Sequence, residues 1–166
     1  MYNKFTLGGI HMTVKLVFMN QADFADFKEH SLMSFANEQV KSGAYEKENA
    51  IARSRKYFDE LLPDDLNTKE HKIFTVYKDE YKVGTLWIRV FEKNHALRAF
   101  VYDIELFEEF RGQGIGTQTM EALNEYCKEM GVDTINLHVF GHNKRALSVY
   151  EKVGFKTTNY YMEKKL

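Results

Sequence analysis

The chain has 166 residues, 44% of them hydrophobic and 28% charged, enough for one domain with a sizeable core. Its net charge of −1 excludes a general electrostatic pull toward nucleic acid or membrane, and no apolar run reaches the roughly 18 residues that span a bilayer. A single cysteine, Cys127, excludes an internal disulfide and fits a reducing cytoplasm.

Residues 1–11 are expected to form a disordered or non-native extension, leaving 12–166 as the domain. MYNKFTLGG lacks the apolar core of a signal peptide. LGGIHM back-translates to a purine-rich GGAGGT, a short spacer and ATG, which resembles a ribosome-binding site read as protein. Met12 would then be the native start, and an ordinary disordered N-terminus is the alternative.

TVKLVFM (13–19) reads as a strand. Residues 21–43 carry Phe24, Phe27, Leu32, Phe35 and Val40 at helical spacing, with a break expected near Ser31 and a stop at Gly43. A second helix over 47–62 ends at Pro63, the only proline. The period then changes to two. Strands are predicted over 72–78, 82–92 and 97–106, the last two joined at Lys93-Asn94-His95. A glycine-rich turn follows, then a helix from about Gly114 to Met130. Gly116, Met120, Leu123, Cys127 and Met130 share one face of it, which makes Cys127 a core residue rather than a reactive thiol. Gly131 caps that helix. Residues 133–140 alternate as a strand, 143–153 read as a short helix stopped by Gly154, and FKTTNYYMEKKL supplies one or two closing strands. The whole is an α/β (α+β) domain with a central mixed, mostly antiparallel sheet and a strand–helix–strand crossover in its second half.

EEFRGQGIGTQTMEAL (108–123) holds three alternate glycines, Gly112, Gly114 and Gly116. A strand ends before them and a helix begins among them. A helix N-terminus carries free N–H groups and roughly half an elementary positive charge, which suits a phosphate. Arg111 could add a positive side chain; a tight turn without a ligand is the alternative. The dinucleotide fingerprint needs a third glycine where Thr117 stands, and no Gly-Lys-Ser/Thr triplet follows for a P-loop.

RGQGIG (111–116) resembles the Arg/Gln-x-x-Gly-x-Gly/Ala motif of the GCN5-related N-acetyltransferases (GNAT family). GHNKRALSVYEKVGF (141–155) is similar to that family's second cofactor segment through Asn143, Ala146, Tyr150, Glu151, Gly154 and Phe155. The resemblance spans about 72–166, and YMEKKL is a familiar ending among bacterial members. It implies a single GNAT-like domain with a six- to seven-stranded sheet flanked by about four helices. It also implies acetyl-coenzyme A as co-substrate, no metal, and direct attack of a primary amine on the thioester. The acceptor would be a small-molecule, peptide or protein amine, with neither nucleic acid nor membrane as partner and a homodimer among the expected states. A non-catalytic acyl-coenzyme A sensor is the alternative.

Carried onto this sequence, the resemblance places the pyrophosphate on Arg111, Gly112, Gln113, Gly114, Ile115, Gly116 and Thr117. The pantetheine arm would run along Ile104, Glu105 and Leu106, with Asn143, Ala146 and Tyr150 completing the cofactor side. Tyr150 is the candidate acid for the departing thiolate, with packing between helix and sheet as its plain alternative. The base is open: Glu105 leads, then His138 on the neighbouring strand, then Asp103, two residues before Glu105 on the same strand face. Asn143 could also simply cap the helix that follows it. His138 and His142 span strand and loop, and with one cysteine they make a structural zinc site unexpected. Lys144 and Arg145 read as solvated surface that could meet cofactor phosphates.

Overall fold

A computed structural model describes residues 14–164 and 166; the expectations for 1–11 and Met12 lie outside them. The order is β1 (Val14–Phe18), α1 (Gln21–Lys41), α2 (Ala50–Leu61), β2 (His71–Lys78), β3 (Tyr81–Lys93), β4 (Ala96–Leu106), α3 (Ile115–Glu129), β5 (Thr134–Leu137) and α4 (Lys144–Lys152). One sheet runs β1-β2-β3-β4-β5. Its first four strands are antiparallel neighbours, and β5 joins β4 in parallel through the α3 crossover. Among the described residues no helix is long and apolar enough to cross a membrane.

Local chemistry accounts for most boundaries. Asn20 caps α1 by accepting a hydrogen bond from the Asp23 amide at 2.9 Å, and Gly43 follows its end at φ +77°. The β3–β4 hairpin turns on Asn94 and His95, at φ +55° and +61°, the twist-matched geometry of a two-residue turn. The two sheet faces bury separate clusters. Phe74, Val76, Leu86, Ile88, Val101, Met120 and Leu123 pack on the α3 side. Phe24, Phe27, Leu32, Phe58, Leu62, Ile73 and Trp87 pack under α1 and α2.

Several expectations need correction. No break interrupts α1 at Ser31; that serine is buried and its hydroxyl is used by the sheet. Met130 lies just past α3 and is exposed, while Ile115 and Thr119 complete the buried face. The sheet has five strands among the described residues, not six or seven. The strand expected over 133–140 stops at Leu137, and 155–164 form no strand, with Tyr160, Tyr161 and Met162 exposed. Thr and Tyr favour strands only where a partner completes the ladder, and this segment is paired with none. Cys127 is buried, and burial pushes its thiol up to about 11, so it packs rather than reacts.

Candidate active site

The site begins with an irregularity in β4. Trp87 of β3 faces Asp103, but the next residue, Ile88, faces Val101. Tyr102 is therefore an extra residue, a β-bulge. Its effect is to exchange the two faces. Leu97, Ala99 and Val101 point to the α3 side before it, whereas Ile104 and Leu106 do so after it. Tyr102 turns instead onto Trp87, stacked at 4.8 Å, and Asp103 and Glu105 face α1. Across from this stretch, a Cβ on Gly84 would lie 2.1 Å from the Glu105 carbonyl oxygen. Only glycine lets β3 and β4 approach so closely.

Just past the bulge the sheet opens. β4 and β5 pair only from Arg98 with Thr134 to Val101 with Leu137. Beyond that the chains part around a cavity of about 530 Å³. Residues 101–106 form one wall and 137–140 the other, while the glycine loop and α4 close one end. Ser34 and Glu38 of α1 also line the cavity.

The glycine loop turns as its composition requires. Gly112 and Gly114 sit at φ +80° and +77°, and a Cβ on Gly114 would meet nothing within 4 Å. Gly114 precedes α3 and brings no capping side chain, so the first amides of the helix are open to an acceptor from outside. Arg145 adds its guanidinium, whose Nη2 is 3.6 Å from where a Gly112 Cβ would stand. These groups fit a diphosphate: backbone donors, a helix N-terminus and one cation.

Of the residues expected at the cofactor, Ile104, Glu105, Leu106, Arg111, Gly112 and Gly114 line the cavity, as do Gly116, Thr117, Asn143, Ala146 and Tyr150. Gln113 and Ile115 do not. Gln113 donates its amide to the Glu109 carbonyl at 2.9 Å, and Ile115 is fully buried in the core. Arg111 turns back to β4, donating Nε to the Leu106 carbonyl at 2.7 Å and Nη2 to Glu105 at 3.2 Å. Asn143 caps α4, its side-chain oxygen accepting from the Ala146 amide at 3.1 Å, while also lining the cavity.

The titratable groups separate by environment. Glu105 accepts from two sides, with His30 Nε2 at 2.9 Å and Arg111. Asp103 accepts a hydrogen bond from the Ser31 hydroxyl. Loss of water, with the Glu105 charge adding to it, pushes the Asp103 carboxyl up to about 6, against the opposing pull of Ser31, His30 and the Ile104 amide. Tyr150 is buried, and burial followed by the Asp103 charge pushes its hydroxyl up to about 12. It remains protonated at neutral pH. His138 lies beyond the end of β5 rather than on it, exposed and edge-on to Phe140 at 5.0 Å. His142 reaches across to α1, pairing with Glu38 at 2.6 Å. Among the described residues no His, Cys, Asp and Glu group could hold a metal.

Sequence reasoning missed Gly84, His30, Ser31 and Glu38. Ser31 does leave a signal: a polar residue among apolar helical positions suggests a break in sequence, and here it is a buried donor.

This arrangement has known counterparts. Residues 37–155 match the Acetyltransferase (GNAT) family. The chain is 36% identical over 156 residues to the uncharacterized N-acetyltransferase YycN of Bacillus subtilis (strain 168), covering 93% of this chain and 100% of that protein. It is 30% identical over 156 residues to YdgE, an uncharacterized N-acetyltransferase of the same organism, covering 93% and 99%. The crystal structure of YycN superposes with a TM-score of 0.89 at 35% identity, over 93% of this chain and 99% of that one. With the parted strands, the open glycine turn and these matches in agreement, the chain belongs to the GNAT family of acetyltransferases.

Proposed function

We propose that the protein transfers an acetyl group from acetyl-coenzyme A to a primary amine by direct attack, without an acyl-enzyme. The observation that carries this reading is the cleft itself: an anion cradle at one end leads through the parted sheet to a carboxylate and a tyrosine. The amides of Gly116 and Thr117 and the Arg145 side chain would hold the pyrophosphate. The freed edge of β4 at Ile104–Leu106 would align the pantetheine arm. Acetyl-coenzyme A supplies the activated acetyl thioester when bound; the protein supplies alignment and proton transfer.

The proton problem is the larger one. An alkyl ammonium with a pKa near 10.4 costs about 4.6 kcal/mol to deprotonate at pH 7, so a carboxylate beside it accelerates attack. Tyr150, buried and protonated, would donate to the departing sulfur. A sensor without turnover would need neither group in the cleft, and no observation favours it.

Thiol release measured with acetyl-coenzyme A and a panel of spermidine, glucosamine, lysine methyl ester and an alanyl peptide tests the activity. Turnover of at least one is expected; none at all refutes the reading. Gly114→Glu should abolish acetyl-coenzyme A binding by calorimetry, because it puts bulk and negative charge at the cradle and strains a positive-φ position. Unchanged affinity would refute the cradle.

A further inference from the structure

We infer that Asp103 is the carboxylate that takes the acceptor's proton and that Ser31, from the middle of α1, is the residue that positions it. This rests on the acetyltransferase reading and selects between the two carboxylates of β4. Both face α1 because Tyr102 bulges, and both line the cavity. Their partners differ in kind. Glu105 is held by two basic side chains, His30 at 2.9 Å and Arg111 at 3.2 Å. Both Glu105 oxygens are thereby engaged by basic side chains, and a substrate proton taken there would have to displace one of these contacts. Asp103 has neutral hydrogen-bond partners instead: the Ser31 hydroxyl donates to Oδ2 and the Ile104 amide pulls the same way, while the carboxylate lines the cavity where an amine or its bridging water would sit. The serine fixes the carboxylate and lowers its basicity, but less than loss of water raises it.

Burial explains why the pair sits in the helix centre. Ser31 is 3% exposed, with Leu32 of the same turn in the core, so its hydroxyl cannot rotate into water. The charged and titratable groups facing Asp103 are Glu105 on β4, His30 on α1 and Tyr150 on α4. The residue opposite on β3, Trp87, does not titrate. Desolvation and Glu105 together leave Asp103 with a raised pKa, near the range a base at neutral pH requires.

The reaction balances as follows. The ammonium gives one proton to Asp103, and the neutral nitrogen bonds to the acetyl carbon. The C–S bond breaks with its electron pair on sulfur, which takes the Tyr150 proton. The nitrogen's second proton re-protonates Tyr150, and Asp103 releases its proton to solvent. No oxidant or metal is needed.

The test is the acid limb of the kcat/KM–pH profile, measured by thiol release with the best amine of the panel, together with a carboxyl ¹³C NMR titration of aspartate-labelled protein. The signal lost in Asp103→Asn identifies Asp103. In the wild type, limb and signal should titrate together near pH 6. Asp103→Asn should abolish the limb and lower kcat about 10²–10⁴-fold. Ser31→Ala should move both limb and signal upward by roughly 0.5–1 pH unit, the loss of one hydrogen bond to the ionised form. Ser31→Thr should restore them. If Ser31→Ala does not fold, Ser31→Cys, similar in shape and a weaker donor, should move them in the same direction. Glu105→Gln should keep the limb but move it downward, since it removes a negative neighbour. A limb abolished by Glu105→Gln and kept by Asp103→Asn overturns the assignment of the base. A limb and signal unmoved in the serine variants overturn the role of Ser31. Absence of thiol release with every amine overturns the acetyltransferase reading and the base with it. The NMR titration of the ligand-free protein still decides whether Ser31 holds Asp103.

Discussion

Single residues here do work that their type alone does not announce. Tyr150 is buried among core side chains and also lines the cleft, so the packing and acid readings are compatible and only kinetics separates them. Tyr150→Phe keeps the ring and removes the proton. It should lower kcat by about 10²-fold or more while changing KM little; full activity would leave Tyr150 a packing residue. The two arginines show a similar contrast. Arg111, the motif residue, spends its guanidinium on Glu105 and the Leu106 carbonyl. Arg145, which in the sequence reads as solvated surface able to meet cofactor phosphates, stands beside Gly112. Which cation meets a phosphate depends on rotamers and neighbours, and neither is encoded in spacing.

At the scale of elements, β4 carries the site because it is irregular and closely approached. Replacing Gly84 by alanine forces a Cβ into the Glu105 carbonyl, 2.1 Å away. It should destabilise the fold by about 2–4 kcal/mol and lower the melting temperature, and it should impair turnover through displacement of Glu105 and Leu106. Unchanged stability and turnover would show that β3 yields without moving β4. Helices and the β2–β4 meander were legible because periods of 3.6 and 2 survive in sequence. The Tyr102 bulge was not, since one extra residue leaves the apolar pattern of VYDIEL looking like an uninterrupted strand. Its consequence, Asp103 and Glu105 facing α1, could not be read either, nor could the placement of His138 beyond β5. Strand ends are decided by where a ladder partner leaves, which is a tertiary event.

For the whole molecule, stability depends on pH through two desolvated titratable groups with opposite signs, buried His71 and half-buried Asp103. His71 accepts the Trp87 indole N–H at Nδ1, 2.9 Å away; burial, with Arg89 adding to it, lowers it from 6.5 to about 4. It is neutral in the fold while the unfolded chain protonates, so its contribution falls as pH drops from about 6.5 to about 4. Asp103 is raised from 3.8 to about 6. Its charged form is disfavoured in the fold, so the penalty is present above about 6 and disappears as pH falls toward 3.8. Over that shared window the two effects oppose each other. Asp103→Asn should therefore be more stable than wild type at pH 7, by about 1–3 kcal/mol. It should also lose stability more steeply on acidification, as the histidine acts unopposed. Urea midpoints at pH 7 and pH 5 measure both. Equal slopes for the two proteins would mean that Asp103 is not raised in the fold.

The sequence by itself determined the class of the domain, the order of its helices and meander, the glycine turn and the tyrosine on α4. These depend on local periodicity, on backbone angles that glycine alone adopts readily, and on motifs of near neighbours. Tertiary structure decided which partners each carboxylate of β4 meets, which arginine stands beside Gly112, and where β4 and β5 part. Ser31 and Asp103 are 72 residues apart, and Glu38 and His142 are 104 apart. Contacts at such separations are set by how layers pack and how strands pair, and the residues between them carry no record of the distance.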